Sequence, residues 1–322
     1  MPTTLGSTLL IANPAAQRGN GAQATEIACD LLERWLGSTM LTVVRTERPK
    51  HAIEIAATQA SRYETVLALG GDGIVHEVVN GLMSVPADDR PRFGLIPIGS
   101  GNDYARTLGM AESVPDAVTQ LLDAREVHVD VGCCNGEYFA ETLSFGLDAA
   151  IALDTVERRE RTGEQGTALY LKSGIDQLLH HLDAYRFTAV LDSPAGNARD
   201  DGERAACGRV LQGTMHMLAI QNGPTYGGGF RICPKADPSD GLLDICYADA
   251  PMNVVEATFK FLRAKDAHHT NFKNIHFERA SSIDLSFDKR PPCQLDGEVH
   301  IADSYRITIV PHALRVLMAP TR

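Results

Sequence analysis

The stretch LALGGDGIVHEVVNGLM, residues 67–83, sets three glycines, an acid and a His-Glu pair in close succession. Two chemistries could use it: phosphate binding or metal binding. On a helix turning about 100° per residue, Ile74, Val75, Val78, Val79, Leu82 and Met83 share one side, and His76, Glu77 and Asn80 fall opposite. Gly70, Gly71 and Gly73 lie between that helix and the apolar run before it. Permissive dihedrals and exposed N–H groups there can hold an anion. A zinc helix would need H-E-x-x-H, and position 80 is Asn. Taken alone, GGDG reads first as a ligand-free strand-to-helix turn.

Three companions raise the phosphate reading. GLIPIGSGNDYARTLGM (94–110) is a second strand, glycine turn and helix start. Its Ser100 and Asn102 can hydrogen-bond a nucleotide, and Arg106 offers a cation. NPAAQRGNG (13–21) is a third such turn. LDGEVH (295–300) puts Asp296 and Glu298 two residues apart, on one side of the chain if extended, with Gly297 allowing close approach of a substrate. No Walker A pattern occurs, and no G-x-G-x-x-G follows the first apolar run, so the common ATPase and dehydrogenase signatures are absent.

These turns need a scaffold. TLLIANP, LTVVRT, TVLALG and FGLIPIG alternate with helical patterns near 20–36, near 50–62 and after Gly73. That order predicts parallel strands joined by helical crossovers, an open α/β sheet with ligands at the carboxyl ends of its strands. Four polar turns, including RTERPK, should face one crevice. From about Arg125 the pattern becomes long alternating runs punctuated by Gly, Asn and Pro, which predicts a mainly antiparallel β domain. Two helical insertions are expected, at 166–182 and at 251–264, the second begun by Pro251. The polar stretches 157–166 and 193–205 read as mobile loops.

Composition narrows the field. A formal charge of −11 opposes phosphate backbones, and no basic patch offsets it, so nucleic acid is not an expected partner. Seven cysteines without a C-x-x-C pair suit a reducing cytoplasm. The N-terminus has no basic residue before Arg18 and reads as a first strand rather than a signal peptide. No apolar run reaches the roughly 18 residues of a spanning helix, so membrane contact is expected to be peripheral.

Together, NP…G, GGDG with EVVNGL, PIGSGNDYAR, DVG, FGLDA, NGPTYGGGF, PKADPSDGLLD and DGE resemble the diacylglycerol kinase catalytic family, which includes bacterial soluble lipid kinases and the sphingosine and ceramide kinases. The resemblance covers nearly the whole chain. It implies an ATP-binding α/β domain over 1–126 and a lipid-binding β-sandwich over 127–322, with the last residues free to pack back on the first domain and ATP in the cleft between the domains. Asn13, Pro14, Ala15, Ala16, Gln17, Thr46, Gly71, Asp72, Gly73, Ile74, Val75, His76, Glu77 and Ser100 would line the nucleotide site, with Asn102 of the second turn. Glu298 would be the catalytic base, with Asp296 beside it and Asp72 as second candidate or as a holder of metal or nucleotide. A structural Mg²⁺ would sit near the Asp240 side chain and the carbonyls of Asp237 and Leu242, supported by Asp130.

The implied activity is ATP- and Mg²⁺-dependent phosphorylation of a lipid alcohol, diacylglycerol first, at a membrane surface, with a homodimer allowed for. The alternatives are a sphingoid-base or other membrane-lipid kinase, and a non-catalytic nucleotide- or lipid-binding regulator. The chain departs from the bacterial pattern at Ile74, His76 and Ser100; His76 and the Ser-Gly-Asn turn are nearer the sphingosine and ceramide kinases, whereas NDYAR resembles the bacterial enzymes. His180-His181 and His268-His269 read as solvated or capping residues. One thiol of Cys133-Cys134 should face the core, ERRER (157–161) reads as an exposed helix end, and Tyr226 with its glycines reads as a structural turn.

Overall fold

A computed structural model describes residues 5–164, 167–192 and 208–320. The chain forms two compact units, one running to Val129 and completed by residues from His312 on, the other spanning Asp130–Pro311.

The first unit carries β1 (Thr8–Ala12), α1 (Asn20–Leu36), β2 (Leu41–Arg45), α2 (His51–Gln59), β3 (Thr65–Gly70), α3 (Asp72–Met83), β4 (Arg92–Pro97), α4 (Asp103–Thr107) and α5 (Val114–Leu122). The strands pair in parallel in the order β2-β1-β3-β4. The inner strands β1 and β3 are buried along their whole length and are accordingly almost purely apolar, whereas edge strand β2 is half-exposed. Helices α2 and α3 meet at Gly81, where a β-carbon would strike Ala56 and the Ile53 carbonyl. Ser113 caps α5 by accepting from the Asp116 N–H, and Pro115 sits in its first turn. Parallel pairing puts the carboxyl ends of all four strands, and hence the polar turns, on one edge of the sheet.

In the second unit, β5 (Arg125–Cys134), β6 (Glu137–Phe139), β7 (Thr142–Gly146), α6 (Leu147–Thr162), α7 (Thr167–His180), β8 (Tyr185–Asp192), β9 (Arg209–Gln221), β10 (Leu243–Asp249), α8 (Val254–Ala264), β11 (Ile275–Ala280), β12 (Ser282–Phe287), β13 (Cys293–Leu295), β14 (Glu298–Val299) and β15 (Ser304–Met318) follow; β5 and β15 each extend into the first unit. The pairs β14-β13-β7-β9-β8-β12-β15 and β9-β10-β11 are antiparallel. Side-chain alternation then feeds two cores. Leu218, Ile220, Leu243 and Ile245 point into the sandwich, while Ala219 and Cys246 point the other way, under α6, α7 and α8.

Three sequence expectations change. Residues 147–162 form α6, so the helical insertions number three among the described residues, and residues 157–162 are the end of that helix, as the reading of ERRER has it, and not a loop. Arg158, paired with Asp154 at 2.5 Å and with Asp176, ties α6 to α7 and gives the polar run a helical use. Helix α8 starts after Pro251, where Asn253 accepts from the Glu256 N–H at 2.9 Å and so fixes the first turn. Residues 165–166 and 193–205 lie outside the described residues. Cys134 is buried and Cys133 half-buried, as alternation requires. The rings of His180 and His181 are exposed, but His269 is buried, its Nε2 3.0 Å from the Ile232 carbonyl.

Candidate active site

In the first unit three glycine turns interlock. Asn13 accepts the Ala15 N–H on its side chain at 3.0 Å and the Ala16 N–H on its carbonyl at 3.2 Å, which folds Pro14, Ala15 and Ala16 into a tight loop. The Asn13 N–H donates to Leu69, and Gln17 Nε2 donates to the Gly99 carbonyl at 3.3 Å. Gly71 and Gly99 approach so closely that a β-carbon on Gly71 would lie 2.8 Å from the Gly99 α-carbon. Glycine is required at both for this steric reason. Asn102, left-handed at φ 54°, accepts the Gly99 N–H at 2.7 Å, and Ser100 is half-buried beside it. Asp72 joins two turns by accepting the Tyr104 N–H at 3.3 Å, with Gly101 against its other oxygen. Thr46 follows β2 and donates its N–H to Ala12.

This edge offers backbone N–H donors. No side chain caps the N-terminus of α3, whose N–H groups follow directly on the glycines. Gly73 faces open space, and only the backbone of Ile74 and Val75 is available to a ligand, because both side chains are buried in the core.

His76 departs from expectation. Helix α3 is covered on nearly all sides, and His76 is buried at 4% exposure instead of facing outward. Asn80 Nδ2 donates to its carbonyl at 2.9 Å. Glu77 also turns inward: its oxygens accept the Lys50 and Ala52 N–H groups at 2.8 and 3.0 Å, capping α2. Arg106 is engaged locally by Asp103 at 3.0 Å and by the Gly101 carbonyl.

The DGE turn lies in the second unit. Asp296 and Gly297 have φ of 49° and 95° and close a two-residue hairpin between β13 and β14, so the segment is not extended through Asp296. The two carboxylates consequently have different surroundings. Asp296 accepts three N–H groups, from Ala140 at 2.7 Å, Glu141 at 3.0 Å and Thr142 at 2.9 Å, and thereby pins the chain leading into β7. Three of its roughly four acceptor sites are therefore taken up by backbone N–H groups. Glu298 is exposed and flanked by exposed Val299 and Ile301.

The PKADPSDG turn is organised by its acids. Asp130, buried at the start of the DVG motif, accepts the Gly241 N–H at 2.7 Å and donates its own N–H to the Pro238 carbonyl. Asp237 accepts from both the N–H and the hydroxyl of Ser239. Asp240 accepts the Leu242 N–H at 3.1 Å and pairs with Arg279, which also reaches Asp244 at 3.3 Å. Among the described residues no three acidic, His or Cys side chains converge as a metal cage. The donor set of Asp130, Asp240 and turn carbonyls is hard oxygen and fits Mg²⁺ in kind, in competition with Arg279 for Asp240.

Sequence reading missed a second feature of this unit. A cavity of about 620 Å³, its open side included, lies under α6, α7 and α8, lined mainly by apolar side chains such as Ile151, Phe230, Met252 and Phe261. Asp148 of FGLDA lines it, buried, with one carboxylate oxygen 3.3 Å from the Tyr170 hydroxyl and with Ser144 and Tyr226 also beside the carboxyl. Burial pushes this carboxyl up to about 6. The signal was the acid in an otherwise apolar helix start. Tyr226 and Phe230 bridge each other across three left-handed glycines, and Phe230 lines the cavity.

Comparison with known proteins agrees with this layout. Residues 7–134 match the diacylglycerol kinase catalytic domain, and residues 141–318 match the YegS C-terminal NAD kinase beta sandwich-like domain. A "Probable lipid kinase YegS-like" protein of Chromohalobacter salexigens is 30% identical over 263 residues, covering 79% of this chain and 76% of that protein. The diacylglycerol kinase of Bacillus subtilis is 26% identical over 249 residues, covering 77% and 75%. A crystal structure of a diacylglycerol kinase from Bacillus anthracis shares the fold with a TM-score of 0.79 over 99% of each chain, at 22% identity. With both of its parts matched in order, the chain belongs to the family of lipid kinases that join a diacylglycerol kinase catalytic domain to a YegS-type β-sandwich domain.

Proposed function

We propose that this protein transfers the γ-phosphate of ATP to the hydroxyl of a membrane lipid, diacylglycerol being the first candidate and phosphatidic acid its product. The observation that carries the reading is the set of interlocked turns around Gly71, Gly99 and Asp72, next to an uncapped helix start. The turns from Asn13 to Gln17 and at Thr46, Gly71, Gly73, Ser100 and Asn102 would bind the nucleotide largely through backbone groups. His76 and Glu77 would support that wall from within.

Glu298 is the base in this reading. Its carboxylate takes the proton of the lipid hydroxyl, the oxygen attacks the γ-phosphorus, and the bond to the β–γ bridging oxygen breaks to release ADP. Mg²⁺ bound with ATP would offset charge on the phosphates, and Asp72 is the residue read as helping to hold it. Asp240 with the carbonyls of Asp237 and Leu242, backed by Asp130, would hold a structural Mg²⁺. The apolar cavity under α6 to α8 suits an acyl chain, and Val299 and Ile301 suit an apolar acceptor near the base.

One observation favours a second substrate. The buried carboxyl of Asp148 in a mainly apolar cavity would suit the ammonium of a sphingoid base. Purified protein, labelled ATP and a panel of diacylglycerol, sphingosine, ceramide and monoacylglycerol in mixed micelles decide the matter. Label in phosphatidic acid is expected; label in the sphingoid product alone overturns the first choice.

A further inference from the structure

Helix α8 has two apolar faces, and only one is used by the core. Ala257, Lys260, Phe261 and Ala264 turn inward over the cavity. On the other side Val255, Phe259 and Leu262, spaced four and three residues apart, are 79%, 51% and 48% exposed. Neighbouring α7, packed on α8 where Gly174 admits the Phe261 ring, exposes Ile175 and Leu179 in the same spacing. Five large apolar side chains on two adjacent helices exceed the scattered exposure normal for a surface.

The charges beside α8 select the partner. Arg263 stacks over Phe259 at 5.5 Å, and Lys265 and Lys273 are exposed nearby, as is His268. Against them stands one exposed acid, Asp266; Glu256 on α8 is tied to Lys260 at 2.5 Å and to Asn274 at 3.0 Å. In a chain of net charge −11 this is a local reversal of sign. An apolar stripe with a basic border is the pattern of a helix lying in a membrane interface. No described helix is long and apolar enough to cross a membrane.

We propose that the outward face of α8, extended by α7, is the surface by which this protein docks on an anionic lipid bilayer, with Val255, Phe259 and Leu262 entering the interface and Arg263, Lys265 and Lys273 meeting the headgroups. The proposal rests on the lipid-kinase reading for its purpose, since it sets the cavity on the inner side of the same helices against the bilayer that supplies the substrate. Docking can nevertheless be measured without turnover.

The test is flotation of the nucleotide-free protein with vesicles of phosphatidylcholine alone or with about one third phosphatidylglycerol. Wild type floats with the anionic vesicles and loses most of this at high salt. The double variant Phe259→Asp with Leu262→Asp, and separately Val255→Asp, lower the bound fraction by about tenfold, with unchanged circular dichroism melting and unchanged phosphorylation of a short-chain, monomeric diacylglycerol. Failure of wild type to float, or variants that float like wild type, overturns the proposal. So does light scattering that shows a wild-type dimer and a variant monomer, which would make the stripe a protein interface. If the protein floats as described but phosphorylates no lipid, the docking surface stands and the assigned reaction falls.

Discussion

At the scale of single residues, the two acids of DGE have different surroundings, Asp296 hydrogen-bonded to the backbone and Glu298 exposed. Asp296 accepts three backbone N–H groups at 2.7 to 3.0 Å, and removing it strands three donors. Asp296→Ala is expected to cost about 3 kcal/mol of stability, read as a fall in the urea midpoint; an unchanged midpoint contradicts the anchoring role. Asp148 gives a pH signature. Its folded carboxyl titrates near 6, above the usual 3.8, because burial disfavours the charged form. The folded state therefore holds the proton more tightly than the unfolded state. Stability from this group is full below about pH 4 and lost as pH rises through 6, for up to about 3 kcal/mol. Asp148→Asn should melt higher than wild type at pH 8, with the gap closing towards pH 4. A gap independent of pH would rule out Asp148 as the titrating group.

At the scale of elements, the glycine turns matter through close approach. Gly71 has extended backbone angles open to any residue, so Gly71→Ala acts only through its clash with Gly99. We expect a stability loss of about 1–3 kcal/mol and a rise of about tenfold in the Kd for ATP by isothermal titration; an unaltered Kd removes this turn from the nucleotide site. The acidic turn at 237–242 gives a second element-scale test. Mg²⁺ without nucleotide should raise the Tm of wild type but not of Asp240→Ala, and Arg279→Ala should enlarge the rise by freeing Asp240 from its guanidinium. No response to Mg²⁺ in either protein means that Arg279 alone closes the turn.

At the scale of the whole molecule, legibility followed locality. The parallel strands, α1 to α3 and α7 were readable because apolar periodicity and glycine punctuation lie within one window of sequence. Helix α6 was not, since its polar second half is paid for by Arg158 reaching across to Asp176 on α7. The burial of His76 was hidden for a similar reason: helical periodicity finds the most apolar side of α3 but not how many neighbours cover the rest. The Asp296-Gly297 hairpin has a local signal in its Asp-Gly pair, but the anchoring of Asp296 does not, because its partners, residues 140–142, are more than 150 positions away. The cavity under α6 to α8 depends on three separated helices and left no local trace beyond the acid of FGLDA.

The most direct test is transfer of the γ-phosphate of labelled ATP into chloroform-extractable lipid by wild type and by Glu298→Gln, with ATP binding and melting measured on both. Wild type is expected to label phosphatidic acid, and Glu298→Gln to lose at least about a hundredfold in rate while binding ATP and melting as wild type does. Label that never leaves ATP for lipid in the wild type, or a Glu298→Gln protein that transfers at the wild-type rate, would contradict the assigned reaction and its base.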